Sequence, residues 1–455
     1  MAAGDLDKMK HTLAAELACR IVTTLRRRGY QAWLVGGCVR DRLLSIEPKD
    51  YDVTTDARPD AVQDLFPGAK LVGAHFGVVL VASAGAEVAV ATFRSDHAYM
   101  DGRHPGEVVY QSDPREDVAR RDFTINALLM DPASGHVDDF VGGQQDLADG
   151  LIRAIGDPDT RFAEDHLRML RAVRFAARFG FAIESETMAA IARRRAAIRS
   201  TSAERIRDEL TRILTEGGAR RGFELLGQTG LLDEILPEIA AMKGVAQPPE
   251  FHPEGDVWIH TLLMLEGLRT PPSTLAWGVL LHDVGKPPTF RVQERIRFDG
   301  HVEAGVEMAG RILARLRFSC GEIAQIESLV ANHLRFKDLH HMRESKLKRF
   351  LRMDRFDEHL ELHRLDCLSS HRNLANYDFA VRKLAETPPE TLKPARLFTG
   401  HDLIRMGYQP GPAFARILAA VEDAQLELVV RTAEEACDFV RERFSPPEGL
   451  LIRPE

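Results

Sequence analysis

No apolar run in this 455-residue sequence is long enough to cross a bilayer, which takes about 20 consecutive apolar residues. The N-terminus also lacks the unbroken apolar stretch of a signal peptide. Met9, Leu13, Leu17, Ile21, Val22 and Leu25 recur instead at helical spacing up to Gly29. That pattern predicts an amphipathic helix and a chain that stays in the cytoplasm. Cysteine is scarce: Cys19, Cys38, Cys320, Cys367 and Cys437 include no C-x-x-C pair, which excludes a disulfide framework and a cysteine zinc site. Excess positive charge is missing too, and a formal net charge of −8 argues against a generally basic nucleic-acid binder. Apolar content, at 44 %, is ample for several domains with cores of their own.

The chain is organised around WLVGGCVRDRLLSIEPKDYDV, residues 33–53. An apolar run stops at Gly36-Gly37, and Asp50 and Asp52 follow at i, i+2. Side chains alternate across a strand, so this spacing puts both carboxylates on one face. Two such neighbours repel unless cations sit between them, and divalent metal ions play that part in phosphoryl-transfer sites. The glycines let backbone approach a ligand, and their N–H groups with Arg40 suit a triphosphate. Taken singly, a Gly-Gly pair is an ordinary turn and D-x-D an ordinary strand end.

Short β-like runs (70–72, 77–82, 87–93) with glycine-bearing turns predict a small mixed sheet. The polar SDHAYMDGRHP, residues 95–105, reads either as a loop over the site or as a long connection. From Asp157 onward the pattern is helical, with Gly180 closing one helix. Asp165, Arg168, Arg171 and Arg174 fall at helical spacing there. Residues 161–221 hold 14 arginines and no lysine against 8 acidic residues. This local excess fits either a phosphate-binding surface or a solvated helical face with internal ion pairs. GVAQPPEFHPEG, residues 244–255, marks a domain junction.

The ordered set LVGGCVRD, KDYDV, RRDFTINAL and RFAEDHLRMLRAVRFAARFGF resembles the bacterial tRNA nucleotidyltransferase and poly(A) polymerase family. The resemblance implies an α/β nucleotidyltransferase head with a small mixed, polymerase β-like sheet, followed by a mostly α-helical neck, body and tail. The corresponding residues are 1–150, 151–245, 246–380 and 381–455. It implies Mg²⁺ on Asp50 and Asp52, with Gly37, Arg40 and Arg121 positioning the triphosphate. It also implies nucleotide contacts from Asp165, Arg168, Arg171 and Arg174, tRNA as partner, and CTP and ATP as substrates. Asp165 only accepts hydrogen bonds and Arg168 only donates them. Cytosine and adenine both offer an amino donor beside a ring-nitrogen acceptor, so that pair matches C and A and rejects U and G. Relatives that add a terminal adenosine resemble the 95–105 stretch, which favours competence for A addition. Where relatives often carry a further glutamate, this chain has Ala89, with Glu87 two residues earlier on the same strand face.

A second constellation follows the junction: His260 in WIHTLLML, His282-Asp283 in LLHDVGKP, His301, His333 in LVANHLRF and Asp366 in HRLDCLSS. Imidazoles and carboxylates recurring on successive helices are what a helical metal site needs. The set resembles the HD phosphohydrolase superfamily, with His260, His282, Asp283 and Asp366 on its metal-ligand positions and a divalent transition metal implied. His301 and His333 are further ligands or substrate contacts. A second His-Asp pair, His401-Asp402, carries no such pattern. The tail from about residue 386 resembles the tRNA-gripping end of bacterial members. Three alternatives to CCA addition stand at this point. One is addition of A alone to tRNA or to a poly(A) tail, a second is a protein that is chiefly a phosphohydrolase, and the third is an RNA-binding scaffold with a dead head.

Overall fold

In the computed structural model, residues 3–72, 77–99, 105–250 and 252–444 are described. Packing divides the chain into two units. The first comprises residues 1–243, 268–276 and 312–318, and the second comprises 244–267, 277–311 and 319–455. The cut between Lys243 and Gly244 falls at the start of the predicted junction. No helix among the described residues is long and apolar enough to cross a membrane.

The first unit is built on β1 (Ala32–Val35), β2 (Asp52–Thr55), β3 (Lys70–Val72), β4 (Val78–Ser83) and β5 (Ala86–Thr92). A hairpin of β6 (Arg94–Tyr99) and β7 (Pro105–Tyr110) follows, then the short β8 (Leu129–Met130) and β9 (Val137–Asp138). Seven of these make one sheet in the order β3-β4-β5-β2-β1-β8-β9. It is mixed as expected: β2 runs parallel to β5, whereas β1 runs antiparallel to β2 and to β8. Alternation decides which side is core. In β5, Ala86, Val88, Val90 and Thr92 are buried while Glu87 is exposed. The Ala3–Arg27 helix lies against the sheet and buries Leu17, Ala18, Ile21, Val22 and Leu25. Full burial of each larger side chain contributes roughly 1.5–3 kcal/mol, so a charge at Ile21 would detach this helix.

Ahead of β8 the chain is only briefly helical. The helix covers Pro114–Ala119, with the Asp113 carboxylate accepting the N–H of Arg115 at its head. One 3-10 turn, Thr124–Asn126, then leads into β8. In the helical part, Arg168–Phe179 buries Met169, Leu170, Ala172, Val173 and Ala176 and ends at Gly180. Between residues 95 and 105 the β6–β7 hairpin pairs from Arg94↔Tyr110 to Tyr99↔Pro105, and positions 100–104 lie outside the described residues.

The second unit is helical, with a core that includes Trp277, Leu280, Leu281, Leu329, Val330, Leu362 and Leu365. A further cluster near the C-terminus gathers Phe398, Leu403, Tyr408, Ile417, Val421 and Val440. There the second His-Asp pair proves to be a helix start. Thr399 and Asp402 form a capping box on the Gly400–Arg405 helix, which satisfies two N–H groups that would otherwise lack acceptors.

Candidate active site and metal centre

β2 begins at Asp52, so Asp50 stands just before the strand rather than on it. Both carboxylates nevertheless line one cleft of about 430 Å³ together with Gly36, Gly37, Arg40, Lys49, Arg121, Asp122, Asn126, Arg171, Arg174 and Phe175. The turn that delivers them depends on Gly36, whose φ of 79° and ψ of −133° belong to a region that only glycine visits freely. A Cβ there would lie 3.5 Å from Nη1 of Arg121 and 4.0 Å from Oδ2 of Asp52. Gly36 therefore brings backbone to the mouth of the site, and the helix Gly37–Leu43 starts from it.

Asp52 is open to the cleft, yet burial around its carboxylate raises its pKa. Arg121 pulls it down and Asp50 adds to the rise. Neither aspartate pairs with a cation within 4 Å among the described residues. Two close carboxylates without donors are the donor set that a hard divalent cation takes.

The cations are held differently. The Arg40 guanidinium donates to Asp41 Oδ1 at 2.6 Å and to Asn126 Oδ1 at 2.6 Å, and it lies over the Phe175 and Phe179 rings. Arg121 pairs with buried Asp117 at 3.0 Å, while its Nε has no acceptor. Arg171 makes a two-pronged pair with Asp122, at 2.8 and 2.6 Å. Asp122 also accepts from the Phe123 N–H and from Asn126. Burial pushes the Asp122 pKa up, but Arg171 and Asn126 outweigh it and hold the carboxyl well below its usual range. Arg174 is buried on Glu209 and Glu216. Of the two interpretations of the arginine excess, internal pairing accounts for most of these side chains.

One predicted constellation comes apart. The sequence places Asp165 on the same helix as three arginines, but the chain breaks there. Asp165 is extended (φ −144°, ψ 106°) after the Pro158–Glu164 helix, and the next helix starts at Arg168. The cause is local: Oδ1 of Asp165 accepts the N–H of Leu167 at 3.1 Å, the side-chain competition with backbone that ends helices at Asp. Asp165 then pairs with Arg205 at 2.8 Å. Arg168 donates to Glu164 and to the Arg120 carbonyl. Of Arg168, Arg171 and Arg174, only the last two line the cleft. Glu87 does not line it; Ala89 is the residue beside Asp52 in the sheet.

In the second unit, the Val257–Gly267 helix carries His260, and His282-Asp283 follow directly on Ser273–Leu281. His301 opens the helix to Arg315, and His333 follows the helix ending at Asn332. Gly285 permits this gathering, because a Cβ there would collide with the His301 carbonyl oxygen. Neighbouring rings among His260, His282, His333 and His301 stand 5.4–5.7 Å apart.

Nδ1 of His282, His301 and His333 lies 2.7–2.8 Å from the carbonyls of Val279, Phe298 and Val330. A carbonyl only accepts, so each Nδ1 carries the proton. Nδ1 of His260 faces Glu254 at 2.7 Å. The Nε2 atoms of all four rings are buried and make no well-aligned hydrogen bond, although those of His260 and His282 come within 3.2 Å of Asp366 and 3.1 Å of Asp283. Rings oriented through one nitrogen with the other left open are the arrangement of metal-ligating histidines. His260, His282 and Asp283 bring ligand atoms within 4.8 Å of one another, and so do Asp283, His301 and His333. Without an ion, burial works to lower the His260 pKa, but Asp366 and Glu254 overcome it and raise the value to about 9. Burial pushes His333 down to about 4.

Comparison with known proteins matches three family models in chain order. They are the Poly A polymerase head domain over residues 32–153, the probable RNA and SrmB-binding site of polymerase A over 180–243, and the HD domain over 256–362. The multifunctional CCA protein of Halorhodospira halophila is 40% identical over 306 residues, 65% of this chain and 72% of its own. This chain belongs to the tRNA nucleotidyltransferase and poly(A) polymerase family. A CCA-adding enzyme of Geobacillus sp. is 44% identical over 214 residues, 47% of this chain and 53% of its own. The chain thus spans about half the length of the first curated relatives it matches. The solved CCA-adding enzyme of Bacillus stearothermophilus, in complex with CTP, superposes with a TM-score of 0.73 at 26% identity, covering 94% of this chain and 96% of that one.

Within this family frame, several cleft residues have no sequence signal of their own. Lys49 and Arg212 line the head cleft and have no ion-pair partner among the described residues. Arg178 joins it through Asp41 and Glu216. Lys49 could be found as the neighbour of Asp50, and Arg178 as one helical turn beyond Arg174. Arg212 comes from another helix, and only folding brings it in.

Proposed function

We propose that the protein adds C and A nucleotides to tRNA 3′ ends without a template, taking them from CTP and ATP. The observation that carries this reading is the head cleft, where an unpaired Asp50 and Asp52 face an arginine-rich wall. In this reading residues 1–150 are the catalytic head, 151–245 a base-reading neck, 246–380 the HD body and 381–455 a tRNA-binding tail.

Asp50 and Asp52 hold Mg²⁺, which when bound acidifies the RNA 3′-hydroxyl and offsets charge on the transferring phosphoryl group. The chain's own groups do the rest. Gly36 and Gly37 keep the cleft floor free of side chains, so the triphosphate can reach backbone N–H groups. Arg121, Lys49 and Arg212 are the cations with donors to spare, and they neutralise the phosphates. Asp122 fixes Arg171, and Asn126 fixes Arg40, so both guanidiniums are oriented before substrate arrives. Asp165 and Arg168 read the base edge after giving up their pairs with Arg205 and Glu164. The test is to incubate tRNA ending before CCA, or ending in CC, with labelled CTP, ATP or both. Incorporation of two C and one A supports CCA addition, whereas A alone on the CC substrate replaces it with the A-only alternative.

A second reading concerns the HD centre and is favoured by the four open Nε2 atoms. His260, His282, Asp283 and Asp366, with His301 and His333, hold a divalent transition metal, for which an imidazole-rich set is suited. Bound there, such an ion supplies hydroxide near neutral pH and polarises a phosphoryl oxygen. Metal analysis and hydrolysis of a 2′,3′-cyclic nucleotide test this reading. Asp283→Ala should remove both and spare CTP and ATP addition.

A further inference from the structure

Beside the HD centre opens a cleft of about 980 Å³, bounded by Lys286, Arg295, Arg297, Phe298, Lys337, His371, Asn373 and Asn376 along with His301, His333 and Asp366. It lies at the upper end of small-ligand pockets, which run to about 1,000 Å³. A lone phosphate at the histidines would leave most of it empty.

Its cations differ from those of the first unit. Arg295, Arg297 and Lys337 are exposed and have no ion-pair partner among the described residues. Lys337 follows His333 by four residues in the same 3-10 segment, a little over one turn on, and lines the same cleft. The two arginines project from a hairpin in which Arg291–Val292 pairs antiparallel with Ile296–Arg297. The register sets Arg291 directly opposite Arg297, and two like charges in that position repel across the pair. Arg295 sits in the turn of the hairpin, two residues before Arg297, and lines the same cleft. No carboxylate among the described residues pairs with these arginines, and an anion in the cleft would relieve their crowding.

We propose that Arg295, Arg297 and Lys337 form an anion subsite for the second phosphate of a nucleotide that carries phosphate at two positions. The first phosphate sits at the histidine and aspartate cluster, so this inference rests on the HD reading above. Lys286 is held by Asp283 and Gln247 at 2.7 and 2.6 Å and forms the cleft wall between the two phosphates. Asn373 and Asn376 supply donors and acceptors for a base. The second phosphate comes either from a free nucleoside bisphosphate or from the internucleotide linkage at the end of an oligonucleotide.

Calorimetric titration separates these cases. AMP, adenosine 3′,5′-bisphosphate and a diadenosine dinucleotide with a terminal 3′-phosphate are each titrated into the wild-type chain and into an Arg297→Ala/Lys337→Ala variant. The bisphosphate should bind the wild type at least about tenfold tighter than AMP, and added salt should shrink that preference. The variant should lose the preference while AMP affinity stays unchanged. Binding of AMP or bisphosphate in the head contributes equally to both proteins and cancels in the comparison. A dinucleotide that binds more tightly than the bisphosphate identifies the oligonucleotide source, and the reverse order identifies the free nucleotide. Equal wild-type affinities for AMP and bisphosphate, or an equal loss of both in the variant, overturn the subsite. Failure to bind Co²⁺ or Mn²⁺ while the bisphosphate preference persists removes the HD reading and leaves the subsite standing.

Discussion

The head cleft and the HD centre solve opposite electrostatic problems. In the head, seven cationic side chains line the cleft and most are already neutralised by the protein's own carboxylates, while Asp50 and Asp52 are left without partners. In the HD centre four buried Nε2 atoms gather about Asp283, which pairs with Lys286, while Asp366 lies against His260. On the proposed function the head would exchange partners, since a triphosphate would compete for arginines that hold internal acceptors. In the HD centre the rings are already oriented through Nδ1, and the contacts left to rearrange are those of Asp283 with Lys286 and of Asp366 with His260. On the proposed function, binding in the head would reorganise several ion pairs, whereas binding in the HD centre would meet rings that are already oriented.

The largest test of this contrast removes the unpaired carboxylates. Asp50→Ala or Asp52→Ala should lower nucleotide incorporation on the order of 10³-fold or more. Metal uptake in the HD centre and the thermal midpoint should be unchanged, because both side chains are solvent-facing. Incorporation within a few-fold of wild type would sink the assignment.

Next is Asp122, which holds the internal pairing together. Asp122→Ala leaves Arg171 without its two-pronged partner and Asn126 without its acceptor. Asp122 is buried but Arg171 is 31% exposed, so the loss should fall below that of a fully buried pair, about 3–5 kcal/mol, to about 1–3 kcal/mol. Urea denaturation should show that loss, and in whatever folded protein remains the KM for CTP and ATP should rise more than kcat falls. A stability change below about 1 kcal/mol would mean that Arg171 finds another acceptor.

What the sequence discloses and what it hides follow from the range of the interactions. Asp50, Asp52, His282 and Asp283 sit in short motifs whose geometry is set within a few residues, and they are legible. The mixed sheet is legible as well, because β-branched runs and glycine turns fix strands locally. Arg212 and Glu254 are not, since their roles depend on contacts made only after folding. Asp165 is misplaced on a helix because spacing alone does not register that its own side chain caps the following turn. The arginine excess is visible, but its internal pairing depends on Glu209, Glu216 and Asp122 arriving from other elements.

Acid sharpens the contrast further. Burial pushes His359 and His363 in the second unit down to about 4. An unfolded histidine titrates near about 6.5, so as pH falls from about 6.5 to 4 the unfolded chain takes up protons that the folded unit refuses, and stability drops. His260, raised to about 9, stays protonated in the folded unit throughout, so as the unfolded histidine takes up its proton near about 6.5 it partly offsets this drop, and it adds nothing further below about pH 5.5. In the first unit, Asp117 and Asp122 have lowered pKa values. Their contribution is present above the ordinary carboxylate pKa and is lost only as pH falls below it. Metal-free protein moved from pH 7 to pH 5 should therefore lose amide protection in Phe356–Ser369, on the order of 1–3 kcal/mol. The Arg168–Phe179 helix should keep its protection. Equal losses in both helices would remove the histidines as the cause.

The smallest expected effect concerns base choice. Asp165 and Arg168 are the base readers of the proposed function, yet each is paired within the protein, with Arg205 and Glu164. If a base must displace those partners, part of its binding energy goes into breaking them, and what remains for discrimination is modest. A bidentate base contact distinguishes bases by about 1–3 kcal/mol, or about 5- to 150-fold. Asp165→Ala or Arg168→Ala should therefore raise UTP and GTP use within that range while triphosphate affinity changes little. Arg205→Ala frees Asp165 without touching the base, so it should tighten CTP and ATP binding if the exchange model holds. Measuring kcat/KM for all four triphosphates on the three variants decides the matter. Unchanged selectivity in the Asp165 and Arg168 variants would move base reading to other residues, and weaker CTP binding in the Arg205 variant would show that its pair with Asp165 positions the carboxylate instead of competing for it.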